Sequence, residues 1–159
     1  MAVFKVVNNV YSIGVKDPNL RVFDIMMETK QGTTYNSYLI MEEGGITIID
    51  GVKEPFTAEW LANIESLVKL EDIKYFVTQH TEPDHSGSIP ALLAINPNIQ
   101  VFGSFMAMAN LKEINNAAFL ANAVKPGQEL KLSDRQSLFF HPVPNVHWPD
   151  TIITHDPVN

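Results

Sequence analysis

The sequence predicts an α/β fold in which mixed sheets are covered by helices, and three observations carry the prediction. Its first third consists of short β-branched and aromatic runs broken by turn residues. Directly after Asp50-Gly51 the apolar spacing becomes helical. From residue 73 onward strands and helices alternate. A strand-rich opening that passes into such alternation implies a mixed sheet with helices packed on it and polar loops gathered at strand ends.

The elements follow in order. Runs at 3–7, 10–15, 20–27, 35–41 and 46–49 read as strands. Between them, Asn8-Asn9, Asp17-Pro18-Asn19, Gln31-Gly32 and Gly44-Gly45 are turn signals at spacings suited to a meander or hairpins. Trp60, Leu61, Ile64, Leu67 and Val68 then recur at helical spacing behind an acidic first turn with Glu54 and Glu59, where the helix dipole favours negative charge. Residues 73–78 form the next strand, 88–95 a short helix closed by Asn96-Pro97, 99–103 a strand and 105–114 a helix. Lys125-Pro-Gly, with apolar 130–132 and 138–141 around Ser133-Asp134, spells a hairpin, and 151–154 a last strand. No internal repeat, low-complexity tract or linker interrupts the chain, and 159 residues suit one domain.

Composition narrows the function classes. Eighteen acidic against eleven basic residues give a formal charge of −7, with the Lys and Arg scattered. Tracking phosphates needs a basic patch, so no nucleic-acid partner is expected. Charged residues make up 18% of the chain, against roughly 25% in typical soluble domains, which leaves surface for a partner. With no cysteine, disulfides, thiolate sites and iron–sulfur clusters within this chain are excluded, and a transition metal must be held by imidazole and carboxylate. No stretch approaches the roughly 18 apolar residues of a membrane span, and the N-terminus lacks a basic region before a long apolar run. The expectation is a cytoplasmic protein with no membrane partner.

His80-Thr81-Glu82-Pro83-Asp84-His85 follows the strand predicted to end at Thr78, and four of these six residues are metal-ligand types. In an extended loop side chains alternate in direction, so His80, Glu82 and Asp84 are expected to project to one region, with a turn at Asp84 adding His85. Carboxylates this close raise one another's pKa unless cations compensate. The alternative for any one of them is a solvated acidic loop. The combination, at a strand end before Ser86-Gly87 and a helix, favours a metal site.

His147 lies in Pro142-Val-Pro-Asn-Val-His147-Trp-Pro-Asp150, where prolines restrict the backbone; taken alone it reads as a surface or capping histidine. His141 and His155 read as structural. Asp50, ending a strand, is either a turn residue or a support for ligand orientation. GxGxxG, Walker A, GxSxG and CxxC patterns are absent, so nucleotide-loop and serine or cysteine nucleophile chemistry lacks a motif.

The pattern His80-x-Glu82-x-Asp84-His85 resembles the flavodiiron proteins. It is preceded by Tyr35-Asn-Ser-Tyr-Leu-Ile and Ile48-Ile-Asp50-Gly, and followed by Ser86-Gly and Val146-His147-Trp-Pro-Asp150. The likeness runs along nearly the whole chain. The wider metallo-β-lactamase superfamily has His where Glu82 stands and commonly binds zinc there for hydrolysis; an anionic oxygen ligand favours iron instead.

The resemblance implies a metallo-β-lactamase-like αββα sandwich, with residues 1–159 as its first half plus the start of the second. It implies that His80, Glu82 and His147 bind one of two iron ions, and Asp84 and His85 the other. Asp50 would support the ligands, and Trp148 would approach the FMN of a neighbouring subunit or else anchor its own loop. A bridging aspartate, a last histidine and the flavodoxin-like FMN domain of the family lie beyond these residues. The chain is therefore expected to be truncated, to bind no FMN itself and to be inactive alone. The reaction implied is reduction of dioxygen to water or of nitric oxide to nitrous oxide, in a homo-oligomer supplied by a rubredoxin-type electron donor. Two alternatives stand beside it: a zinc-dependent hydrolase of this fold, against which Glu82 argues, and a non-catalytic remnant or assembly module. An incomplete sandwich is also expected to expose the face meant for its second sheet.

Overall fold

In the computed structural model, which describes residues 3–159, β1 (Phe4–Val7) pairs antiparallel with β2 (Val10–Ser12) across Asn8-Asn9. The run at 10–15 is not one strand. It breaks after Ser12, because Gly14 passes so close to the next segment that a Cβ there would lie 2.2 Å from the Tyr35 carbonyl oxygen, and it resumes as β3 (Val15–Asp17). The run at 20–27 is likewise divided. Asp24 and Ile25 adopt φ of 48° and 69° and split it into β4 (Val22–Phe23) and β5 (Met27–Glu28), a hairpin whose tip exposes Ile25 and Met26. Aspartate tolerates the left-handed region, so this turn carries no Gly or Pro signal.

β6 (Thr33–Tyr35) pairs with β3, and β7 (Tyr38–Ile40) with β2 and with β8 (Ile46–Ile49). A 3₁₀ turn at Glu54–Phe56 leads into α1 (Thr57–Glu65). Then come β9 (Ile73–Val77), α2 (Pro83–Ser86), α3 (Ile89–Ile95), β10 (Gln100–Gly103) and α4 (Phe105–Asn115). α4 is capped at its start by the Ser104 side chain and ends on Asn116 in the left-handed conformation. β11 (Leu120–Ala123) was not expected, since Leu-Ala-Asn-Ala has little strand character; parallel pairing with β10 recruits it. β12 (Gln128–Lys131), β13 (Ser137–Pro142) and β14 (Ile152–His155) close the chain as an antiparallel sheet.

The main sheet has seven strands in the order β1-β2-β7-β8-β9-β10-β11, antiparallel up to β8 and parallel from β8 onward. Period-two alternation sends Phe76 and Val101 to one face, where they meet Trp60, Ile64, Leu92 and Leu111 of the helices. Tyr75, Val77 and Phe102 go to the other, against Leu138, Phe140 and Ile152 of the three-stranded sheet. The layers are helix, sheet, sheet. The first sheet's second face is thus partly covered already, which corrects the expectation of a bare face. A groove lined by Val7, Val10, Tyr38, Ile49 and Leu138 stays open between the sheets. Among the described residues, no helix is long and apolar enough to cross a membrane.

Candidate metal centre

The loops after β8 and β9, and the loop between β13 and β14, meet at the carboxyl ends of the parallel strands. Beyond β9, Thr78 N–H donates to the Phe102 carbonyl and its hydroxyl to the His80 carbonyl. His80 and Glu82 follow on an extended segment, but the helical turn α2 then begins with Pro83. Proline at this position has a φ already suited to a helix and no N–H to leave unpaired. Asp84 and His85 therefore project from a helical turn, not from the alternating loop expected. His85 and Ser86 N–H groups donate to the Glu82 carbonyl, and the Ser86 hydroxyl contacts the carbonyls of Thr81 and Glu82.

The structure brings three of the five expected ligands into one group, His80 and Glu82 from the loop after β9 and His147 from the loop between β13 and β14, with His85 beside His80 and Asp84 beside His85. Ligand atoms of His80, Glu82 and His147 all lie within 4.8 Å of one another. His147 Nε2 is 3.1 Å from Glu82 Oε2, His80 Nδ1 is 4.0 Å from the same oxygen, and His85 Nε2 is 3.7 Å from Asp84 Oδ2. Donors about 2.0–2.2 Å from a shared ion stand roughly 3.0–3.4 Å apart, a spacing that the His147–Glu82 pair already has. The His80 ring centre is 4.2 Å from that of His85 and 5.3 Å from that of His147. His80 is the hub. The Trp148 ring lies 5.9 Å from it, beside the site, while the Trp148 carbonyl accepts bonds from Asn145 and Thr151 that close its own loop. His141 and His155 face each other on the exposed side of the three-stranded sheet and take no part.

Asp50 ends β8 with φ 57°. Its Oδ1 accepts the Gln79 N–H at 2.7 Å and its Oδ2 lies 2.9 Å from His85 Nδ1, leaving His85 Nε2 toward Asp84. Trp60 Nε1 donates to the Ser37 hydroxyl, which donates to the Asp50 carbonyl. Helix α1 thereby props this strand end from the core. Gly51 lets the strand end press against α2, since a Cβ there would meet Ser88 Oγ at 2.5 Å and the His85 carbonyl oxygen at 2.9 Å. Gly51→Ala is expected to cost roughly 1–3 kcal/mol through overpacking, read as a lower midpoint in urea unfolding.

Burial pushes the carboxyl groups of Asp50 and Glu82 above the usual carboxylate range, although His85 and the Gln79 N–H pull Asp50 down and His147 pulls Glu82 down. Burial and the nearby His85 lower the His80 imidazole. Burial pulls on His85 too, but its bond to Asp50 and the charges of Asp50, Asp84 and Glu82 leave it raised. His80 Nδ1 and Asp84 Oδ1 are buried without a hydrogen-bond partner among the described residues. A region where burial raises the pKa of two acids and leaves both a nitrogen and a carboxylate oxygen without a partner is one that a cation would satisfy.

Sequence reasoning assigned no role to Asp150, which is fully buried and whose Oδ2 accepts from the Thr81 N–H and hydroxyl at 2.7 and 2.6 Å.

The family described as ODP family beta lactamase matches residues 33–159. The Flavo-diiron protein FprA2 of Clostridium acetobutylicum is 40% identical over 97% of this chain and 38% of its own length, and the type A flavoprotein fprA of Rhodobacter capsulatus 38% over 91% and 34%. The flavodiiron protein of Giardia intestinalis superposes with a TM-score of 0.92 at 33% identity, over 99% of this chain and 38% of that one. The rubredoxin oxygen:oxidoreductase of Desulfovibrio gigas does so with 0.89 at 30% identity, over 96% and 38%. The chain spans 38% or less of the length of these relatives.

Proposed function

This chain belongs to the ODP family of beta lactamases, and we propose that it forms the front part of a flavodiiron-type domain that holds iron for the reduction of dioxygen or nitric oxide. In this reading His80, Glu82 and His147 hold one iron, and Asp84 and His85 contribute to a second. The observation that carries it is the convergence of one carboxylate and two imidazoles from separate loops. The donors fit. They contain no sulfur, they include a hard anionic oxygen in Glu82, and His80 Nδ1 and Asp84 Oδ1 lack a hydrogen-bond partner among the described residues.

A bound pair of irons would supply electrons together and act as a template for a diatomic substrate. Glu82 would offset positive charge where the wider superfamily offers a neutral imidazole. Asp50 would accept the His85 Nδ1 proton, fix the tautomer and turn Nε2 toward the metal. Trp148 would screen one side of the site from water. Electrons would come from a flavodoxin-like FMN domain fed by a rubredoxin-type donor, within a cytoplasmic homo-oligomer, and residues 1–159 would bind no FMN themselves.

The test is anaerobic loading with ferrous iron, metal analysis after desalting, and oxygen or nitric oxide consumption with reduced FMN, beside Glu82→Ala. Wild type is expected to retain iron that the variant loses. Turnover by this chain alone is expected to stay near the control, because Asp84 and His85 are too few donors to fix a second ion in one geometry. Preference for zinc over iron, with hydrolysis of an ester or lactam, would overturn the reading in favour of the hydrolase. Retention of neither metal would favour an assembly role.

A further inference from the structure

We propose that Asp150 is a positioning residue that sets the spacing between the two arms of this metal centre. The inference rests on the reading of His80, Glu82 and His147 as ligands. His147 has a side chain 70% exposed, so packing around its ring cannot hold it in place. Apart from the Nε2 contact to Glu82, its position comes from the backbone that carries it. That backbone is stiffened by its own bonds: Val143 N–H to the Thr151 carbonyl, Asn145 N–H to the Trp148 carbonyl, Val146 N–H to the Val143 carbonyl and the Thr151 hydroxyl to the Trp148 carbonyl.

These bonds tie the loop to itself, so its placement depends on where its base is fastened. Beyond the β13–β14 pairing, two attachments fasten it to the His80 segment. Ile152 N–H donates to the Gln79 carbonyl at 2.7 Å. Asp150 Oδ2 takes both donors of Thr81, the one residue between His80 and Glu82. The Thr81 hydroxyl in turn accepts from Asn110 Nδ2 of α4 at 2.8 Å. Anchoring Thr81 fixes the ligands on either side of it relative to the loop that supplies the third. Hydrogen bonds to a buried carboxylate are short and about twice as strong as neutral ones, which suits a joint that must not slip. Asp150 is fully buried and its Oδ1 has no partner among the described residues, so solvent does not share these bonds.

The experiment titrates cobalt(II), a visible-absorbing probe of nitrogen and oxygen sites, into the purified chain and into Asp150→Ala, Asp150→Asn, Thr81→Val, Thr81→Ser and His80→Ala. Asp150→Ala and Thr81→Val are expected to bind cobalt about 10- to 100-fold more weakly, the range for lost supports of metal ligands, with altered visible bands. Thr81→Ser is expected to remain near wild type, because serine keeps the hydroxyl, and Asp150→Asn to fall between wild type and Asp150→Ala, because an amide oxygen still accepts both Thr81 donors but without the charge. Wild-type affinity and spectrum in folded Thr81→Val and Asp150→Ala, with binding lost in His80→Ala, would overturn the proposal while leaving the metal reading intact. So would a lower melting temperature with unchanged affinity and bands, which is all a purely structural role predicts. If Asp150→Ala does not fold, the near-isosteric Thr81→Val decides. A wild-type chain that binds no cobalt would remove the metal reading and this inference with it.

Discussion

Replacing His80 with alanine is expected to lower the affinity of the chain for ferrous iron by at least about 100-fold, the upper end of what loss of a mere ligand support costs. His80 is the hub of the cluster, only 5% exposed, with its ring within 5.3 Å of the ring centres of both His85 and His147. Its Nδ1 has no hydrogen-bond partner among the described residues, and a bound ion would give that buried polar atom one. His147→Ala is expected to cost less. That side chain is mostly exposed, and water can occupy the coordination position it leaves. Anaerobic titration of both variants, with circular dichroism to confirm folding, checks the order. Wild-type affinity in folded His80→Ala would place any metal elsewhere.

How much of this was legible in the sequence depended on whether the signal was local. β8, β9, β10, α1 and α4 were readable because apolar periodicity and bounding turn residues agree over several residues. The β4–β5 hairpin was not, because its reversal is made by Asp24 and Ile25 without glycine or proline. β11 was not, because its conformation is supplied by its neighbour β10. The helical turn α2 was signalled by Pro83, yet the spacing of His80, Glu82 and Asp84 pointed to an extended loop. Candidate ligands could be picked out as a set, since carboxylates and imidazoles crowded after a strand are costly without a cation. Their attachments could not. Asp150, Thr81 and Asn110 lie up to 69 residues apart, and no local pattern announces that a buried aspartate in one loop accepts from a threonine in another. Asp50 sits between these cases: a carboxylate at a strand end needs a partner, but only the fold shows that the partner is His85.

Metal binding is expected to stabilise the chain strongly and in a pH-dependent way. An ion at a thousand times its dissociation constant adds about 4 kcal/mol to unfolding, which at this size corresponds to roughly 8–16 °C in melting temperature. The metal-free chain should behave in the opposite sense. Asp50 and Glu82 have folded pKa values raised above their unfolded ones. Each therefore contributes stability that is present below the unfolded carboxylate range near about 4 and is lost as pH rises through the raised value. His85 is also raised and adds stability that fades with rising pH, whereas His80 is lowered and adds stability that is lost as pH falls below its ordinary range. Three of these four groups thus make the empty site more comfortable in acid. An ion reverses the balance, because it binds only deprotonated carboxylates and imidazoles and so competes with the same protons. The gap in melting temperature between metal-loaded and chelator-treated chain should be widest near about pH 8 and shrink markedly by about pH 5.5. Differential scanning calorimetry at both values measures it. A gap that stayed constant, or grew in acid, would mean that the stabilising ion is not held by Glu82 and its histidines.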